Sequence, residues 1–222
     1  MLNLIFVIIL AYLAGSIPTS IIISKLVRGI DIREHGSGNA GGSNVFRVLG
    51  WKYGILVILL DALKGALAVI VVARLYLDSF PFKNITPFDD FTLVQIICGV
   101  TAVIGHIWTV FAGFRGGKGI ATGLGVLIMI VTIDMALALG IFFLVVSLSR
   151  YISLGSIAAA VSVPLILFIR ENIFGIDIQG YHTVLPFTIA LALLVLYTHR
   201  KNINRIFKGN ESKISFVKKK LV

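Results

Sequence analysis

The sequence predicts an all-α integral membrane protein, a compact bundle of about seven transmembrane helices with some of them short or broken. Three observations carry that expectation. First, 58% of the 222 residues are hydrophobic and only 14% are charged, too little charge to clothe a soluble domain of this length. Second, the apolar residues gather into runs long enough to cross a bilayer. Third, the charges sort by segment. Eight Lys and Arg and a single acid, Glu211, occupy His199–Val222, which places that tail in the cytoplasm by the positive-inside rule.

The first run covers 4–26. No positive charge precedes it and the first base is Lys25. Ala14-Gly15-Ser16 has the look of a cleavage site, but without a basic leader the run is expected to stay as an uncleaved span with the N-terminus outside. Further runs cover 54–77, 92–113, 119–148, 154–170 and 185–199. Segment 25–52 carries Lys25, Arg28, Arg33, Arg47 and Lys52, and 114–118 carries Arg115 and Lys118, so both are expected inside. Segment 78–91 sets Asp78, Asp89 and Asp90 against Lys83, and 171–184 holds Glu171 and Asp177 with no Lys or Arg, so both are expected outside.

The run 119–148 decides parity. A single crossing gives six spans and an external tail, against the charge rule; two short helices turning near Asp134 give the expected seven and a cytoplasmic tail, and a re-entrant segment gives five and the same tail. Each half of about 14 residues would rise roughly 21 Å against a hydrocarbon core of ~30 Å. Short helices of this kind are tolerated where protein covers them or a cavity lies beside them. Residues 1–222 read as one polytopic domain with a basic cytoplasmic tail from 199 to 222. The net charge of +10 lies in short loops and that tail rather than on a soluble basic face, so no nucleic-acid partner is expected. The lone cysteine, Cys98, excludes a disulfide framework.

Three polar segments fall on the predicted cytoplasmic side. In Gly36-Ser37-Gly38-Asn39-Ala40-Gly41-Gly42-Ser43-Asn44 with Arg47, glycines allow close backbone approach and successive N–H groups can form an anion nest. Ser37, Asn39, Ser43 and Asn44 offer directional hydrogen bonds, and Arg47 can grip a phosphate bidentately. Gly36, Gly38 and Gly41 match a dinucleotide fingerprint, but no strand precedes them and the match is rejected. Phe114-Arg115-Gly116-Gly117-Lys118-Gly119 adds backbone donors, a helix start and a point charge. Ala112 and Gly119 stand where a Walker loop needs Gly and Ser or Thr. The third segment joins Ser153-Leu154-Gly155-Ser156 to His199-Arg200-Lys201-Asn202 and Arg205, where an interfacial histidine serves as proton acceptor, phosphate donor or membrane anchor.

Asp61 and Lys64, three apart on one helix face, read as a structural intramembrane pair that orients the first loop. His106 reads as a satisfied core residue. No histidine begins a His-x-x-x-x-Asp pair, and no His/Glu cluster suggests a metal.

Gly15-Ser16-Ile17-Pro18, Gly36 to Arg47, Asp61-x-x-Lys64-Gly65, Gly105-His106, Gly113 to Gly119, Ser153-Leu154 and His199 through Glu211 follow one another in an order that resembles the bacterial acyl-phosphate-dependent glycerol-3-phosphate acyltransferases. The resemblance covers nearly the whole chain. It implies transfer of a fatty acyl group from long-chain acyl phosphate to the 1-hydroxyl of glycerol 3-phosphate, with release of phosphate and no metal, cofactor or acyl-enzyme. It implies that Ser37, Arg47, Lys118, Ser153, His199 and Asn202 line a phosphate site. Asn39 and Ser43 would shape the first loop beside Gly38, and Ser37, Asn39, His199 and Asn202 are the catalytic candidates. His199 and a phosphate oxygen of the substrate are the two candidate bases. A bacterial cytoplasmic membrane, an active site on its inner face, and a monomer are expected with it.

Several positions depart from the family pattern. Ser43 stands where Thr is usual, Lys201 replaces the Glu of His-x-Glu-Asn, and Trp108-Thr109 replaces Phe-Pro. The rival reading is a transporter for an organic phosphate, which also places cations near broken helices, but its repeated halves are not visible here.

Overall fold

The computed structural model describes residues 2–77 and 83–214; Asp78 of the predicted external loop and Lys218, Lys219 and Lys220 of the tail lie outside them. Nine α-helices and no strand occur among the described residues. Six elements are long and apolar enough to cross a membrane: Leu2–Arg28, Trp51–Leu75, Asp90–Ala112, Thr132–Ser149, Ile152–Asn172 and Tyr181–Phe207. A shorter apolar helix, Ile120–Ile130, lies between the third and fourth.

The first span is two helices, α1 (Leu2–Ser16) and α2 (Thr19–Arg28). Pro18 lacks an N–H and restricts Ile17, so the helix ladder breaks there. The Ile17 carbonyl takes a hydrogen bond from Lys64 Nζ at 2.8 Å, and the Thr19 hydroxyl donates to Asp61 Oδ1 at 2.5 Å. Helix α3 (Gly42–Leu49) meets α4 (Trp51–Leu67) at Gly50, whose φ of 97° is one that only glycine adopts readily. Beyond Leu67 the span widens into a π turn, Ala68–Val72, and tightens into a 3-10 turn, Ala73–Leu75. Gln95 from α5 (Asp90–Ile107) donates to the Val69 carbonyl within that turn at 3.2 Å. Asp89 caps α5 by accepting the Thr92 N–H at 2.7 Å.

The run 119–148 divides unequally, into α6 (Ile120–Ile130, 11 residues) and α7 (Thr132–Ser149, 18 residues). The break is at Val131, with φ −133° and ψ 62°, not at Asp134. Four consecutive β-branched residues, Ile130 to Ile133, weaken the helix here. Asp134 lies in the first turn of α7, where an acid suits the helix N-terminus, and it pairs with Arg170 Nη1 at 2.8 Å. Arg170 belongs to α8 (Ile152–Asn172), which α9 (Tyr181–Phe207) follows.

Helix α1 packs on α5, α4 on α3 and α6, α7 on α8, and α8 on α9. Lipid offers no hydrophobic drive between helices, so close backbone approach must supply the contact. Gly15 and Gly105 let α1 and α5 meet with no room for a Cβ, and Gly65 and Gly125 do the same for α4 and α6. Helices α6 to α9 and the facing parts of α3, α4 and α5 leave a cavity of about 580 Å³ between them.

Candidate active site

The first polar loop is built around Asn44, buried in the first turns of α3. Its Nδ2 lies within hydrogen-bond reach of the carbonyls of Ile32 (3.0 Å), His35 (2.9 Å) and Asn39 (3.1 Å). Its Oδ1 accepts the Ser37 N–H at 2.8 Å. Gly38 donates its N–H to His35 and Gly41 to Asn39. The amides of Ser37, Gly38 and Gly41 therefore hold the loop together instead of forming an open nest, and Asn44, which touches the cavity, spends its amide on organising the loop. What the loop presents to the cavity is Ser37, Asn39, Ser43 and Arg47 with the start of α3. Gly38 does not line the cavity; with φ 73° it makes the turn.

The second loop likewise commits its glycine amides. Gly116 donates to the Ile107 carbonyl at 3.0 Å and Gly117 to His106 at 3.1 Å, which folds 113–118 back on the end of α5. Arg33 joins the two loops: its Nη1 donates to the Ala112 carbonyl at 2.8 Å while its Nη2 pairs with Asp31 at 2.7 Å. The hydrogen bond from Arg33 holds the Asp31 carboxyl down at about 2. Folded this way, the loop leaves Lys118 and the N-terminus of α6 facing the cavity.

Beneath both loops, Asp61 Oδ1 meets Lys64 Nζ at 2.8 Å and His106 Nδ1 at 3.5 Å. The pair thus ties the α1–α2 break and α5 to α4, rather than orienting the first loop directly as the sequence suggested. His106 is buried against Asp61 and also borders the cavity.

The third component is the tail. Glu211 turns back so that Oε1 accepts from Ser153 Oγ (2.9 Å) and Asn202 Nδ2 (2.7 Å), and Oε2 from Arg205 Nε (2.7 Å). Asn202 Oδ1 in turn accepts from Lys118 Nζ. The next residue, Ser212, accepts at its carbonyl from Arg47 Nη2 at 3.3 Å. Ile214 donates its N–H to Arg150 at 2.8 Å and reaches the cavity lining. Burial pushes the Glu211 carboxyl up, but the hydrogen bonds from Arg205, Asn202 and Ser153 outweigh it and hold the group below the usual carboxylate range.

His199 donates Nδ1–H to the Val195 carbonyl at 2.9 Å, since a carbonyl can only accept. In the neutral ring that leaves Nε2 with a lone pair. Lys201 faces solvent, so the lysine at that position removes nothing from the cavity.

One end of the cavity therefore gathers Ser37, Asn39, Ser43, Arg47, Lys118, Ser153, His199 and Asn202 from four separated stretches of chain. Burial pushes the Lys118 ammonium down to about 8, with Arg205 and Arg47 adding repulsion and Glu211 opposing it. Burial likewise lowers the Arg47 guanidinium from its usual value. Arg47 Nε is buried with no hydrogen-bond partner among the described residues. The rest of the cavity is mostly apolar, walled by side chains of α6, α7, α8 and α9 with Phe46, Ile55, Ile58 and Val103, and is interrupted by Asp61, His106, Ser156 and Thr188. Glu211 closes the His199–Glu211 motif, but motif reading gave it no role; its signal was a single acid among eight bases.

The family model for glycerol-3-phosphate acyltransferase matches residues 5–209. The chain is 47% identical over 234 residues to the glycerol-3-phosphate acyltransferase of Chlorobaculum tepidum, covering 99% of this chain and all of the relative. The chain belongs to the glycerol-3-phosphate acyltransferase family. Another acyltransferase of this family, from Chlorobaculum parvum, is 44% identical over 97% of this chain and 98% of its own length. The fold matches two crystal structures of PlsY (YgiH), an integral membrane glycerol 3-phosphate acyltransferase, each 38% identical and covering 96% of this chain. The glycerol 3-phosphate form has a TM-score of 0.77 and covers 96% of that chain; the lysophosphatidic acid form has 0.76 and 95%.

If the acyltransferase tail is pinned by Glu211, Glu211→Ala releases it. Hydrogen bonds to a charged group contribute about 1.5–3 kcal/mol, so tryptic cleavage after Lys208 and Lys213 should accelerate at least about tenfold. Mass spectrometry of timed digests checks this, and protection equal to the parent chain contradicts it.

Proposed function

We propose that this chain transfers a fatty acyl group from an acyl phosphate to the 1-hydroxyl of glycerol 3-phosphate at the polar end of the cavity, giving lysophosphatidic acid and inorganic phosphate. The observation that carries the reading is one cavity with two chemistries: cations and helix N-termini at one end, apolar walls along the rest. That shape suits an anionic head on an alkyl chain. An unpartnered buried Arg47 Nε costs about 1–3 kcal/mol, a cost a bound phosphate oxygen removes.

In this reading Arg47, Lys118 and the α6 N-terminus hold phosphate, helped by Ser37 and Asn202. Asn39 and Ser43 border the acceptor, and Gly38 gives the loop its turn. Ser153, whose proton goes to Glu211, meets a substrate hydroxyl with a lone pair. The hydroxyl oxygen attacks the acyl carbonyl carbon, the bond from that carbon to the phosphate oxygen breaks, and phosphate leaves with both electrons. His199 Nε2 takes the hydroxyl proton. An acyl phosphate is already activated, so alignment and charge stabilisation are sufficient work for the protein.

The same reading has the chain cross a bacterial cytoplasmic membrane seven times as a monomer, with α6 as the short crossing, the N-terminus outside and the site on the inner face. Its support is that the basic segments 25–52 and 114–118 and the tail all meet at one end of the cavity, as the positive-inside rule requires. A transporter would want its polar groups at mid-depth.

Arg47→Ala and Lys118→Ala are expected to lower turnover by about 100-fold or more while the proteins still purify folded; near-parental rates in both would refute the phosphate assignment. With Lys118 protonated below about 8 and neutral above it, kcat/KM should hold up to that pH and then fall. Lys118→Arg, which stays charged, should remove that alkaline limb. His199→Gln keeps a polar contact but not the base, so kcat should drop about 100-fold; an unchanged kcat would hand the proton to a phosphate oxygen.

A further inference from the structure

We infer that the apolar end of the cavity is a closed stop that sets acyl-chain length, with Met135, Val163 and Thr188 meeting the chain terminus; this rests on the reading of the cavity as the acyl-donor site. On three of the four helices that carry the apolar lining, the last residue to reach the cavity belongs to one hydrophobic cluster: Leu127, Met135 and Val163. On α8 the lining runs from Ser153 to Val163, and on α9 from His199 back to Thr188. On α7 it runs from Val146 back to Met135, and on α6 it ends at Leu127. The inward residues one turn further, Val131, Leu167 and Val184, are buried and do not reach it. They pack with Leu127, Met135 and Val163 in one hydrophobic cluster. The floor is therefore solid protein.

The depth follows from the helices. Ten residues of α8 and eleven of α9 separate the polar ring from the floor, about 15 and 16.5 Å at ~1.5 Å per residue. Half of a ~30 Å hydrocarbon core is about 15 Å, so the cavity is as deep as one leaflet. A chain that fills it has the length of the lipids among which the protein sits. The floor is also braced. Asp134, next to Met135, pairs with Arg170, one turn from Leu167 and on the same helix, at 2.8 Å. Lowering the floor would take the half-buried Arg170 away from the buried Asp134 carboxylate, which is costly.

The cavity opens to the side nearer its polar end, where the exposed Ile55 and Phe143 form part of its lining. A donor enters there from the surrounding lipid, and its chain then runs down to the stop. A chain that instead left through that opening would never meet Met135, Val163 or Thr188.

The test uses the purified full-length chain with glycerol 3-phosphate and an equimolar mixture of myristoyl, palmitoyl, stearoyl and arachidoyl phosphate, with the lysophosphatidic acids read by mass. Met135→Ala and Val163→Ala deepen the floor by different side chains, so failure of one to fold leaves the other. Either should raise the stearoyl-to-palmitoyl product ratio about tenfold, the low end of what one methylene is worth in a hydrophobic pocket. Ala160→Leu, which fills the cavity one turn above Val163, should shift products toward myristoyl. A flat parental profile, or variants that lose rate equally on all four donors, overturns the stop while leaving the enzyme assignment intact. No turnover of any donor by folded parental protein overturns the assignment and the stop with it.

Discussion

The Glu211 carboxylate is the point on which the polar end of the molecule depends. It draws Ser153 of α8, Asn202 and Arg205 of α9 and the returning tail to one place, and through Asn202 it reaches Lys118 at the start of α6. Without it, Lys118, Arg47 and Arg205 would face one another with no ion-pair partner among the described residues, and three donors would lose their acceptor. A buried carboxylate is tolerable because hydrogen bonds from a cation, an amide and a hydroxyl replace its water. The same contacts fix which way Asn202 and Ser153 present their remaining polar atoms, so the site is organised before any ligand arrives.

The backbone obeys a parallel logic. At the edge of a bilayer, loose polar amides are expensive, and both glycine loops take theirs inward, onto Asn44 in one case and onto the end of α5 in the other. Glycine serves here to let the turns fold tightly and the loops lie flat on neighbouring helices; Gly116 and Gly117 have His106 so close that a Cβ would collide with it. With the amides of Ser37, Gly38, Gly41, Gly116 and Gly117 committed, anion binding falls to two side-chain cations and to the starts of α3 and α6. Those groups sit beside an apolar cavity, where charge acts through a lower dielectric than in water.

The spans were legible in the sequence because membrane helices must be apolar over a fixed length. Their ends were not: α9 continues to Phe207, well past the apolar run ending at 199, because its last turns are held by the tail rather than by lipid. The division of 119–148 was foreseen, but its position was drawn to the charge at Asp134, while the backbone breaks in the β-branched stretch around Val131. Residue types at the site were readable from motif order. Which of them face the cavity was not, since Gly38 sits between Ser37 and Asn39 in the same motif, yet it makes the turn while its two neighbours reach the lining. Glu211 was the least legible, because a carboxylate that gathers cations looks, in sequence, like an exception to a basic tail.

What sets this cavity apart from a mere binder of phosphates is acyl transfer. The most direct measurement is phosphate release by the detergent-purified chain given palmitoyl phosphate, with and without glycerol 3-phosphate. Release that requires the acceptor and is matched by lysophosphatidic acid is the predicted result. Folded protein that releases no phosphate under either condition, or releases it equally without the acceptor, would contradict it.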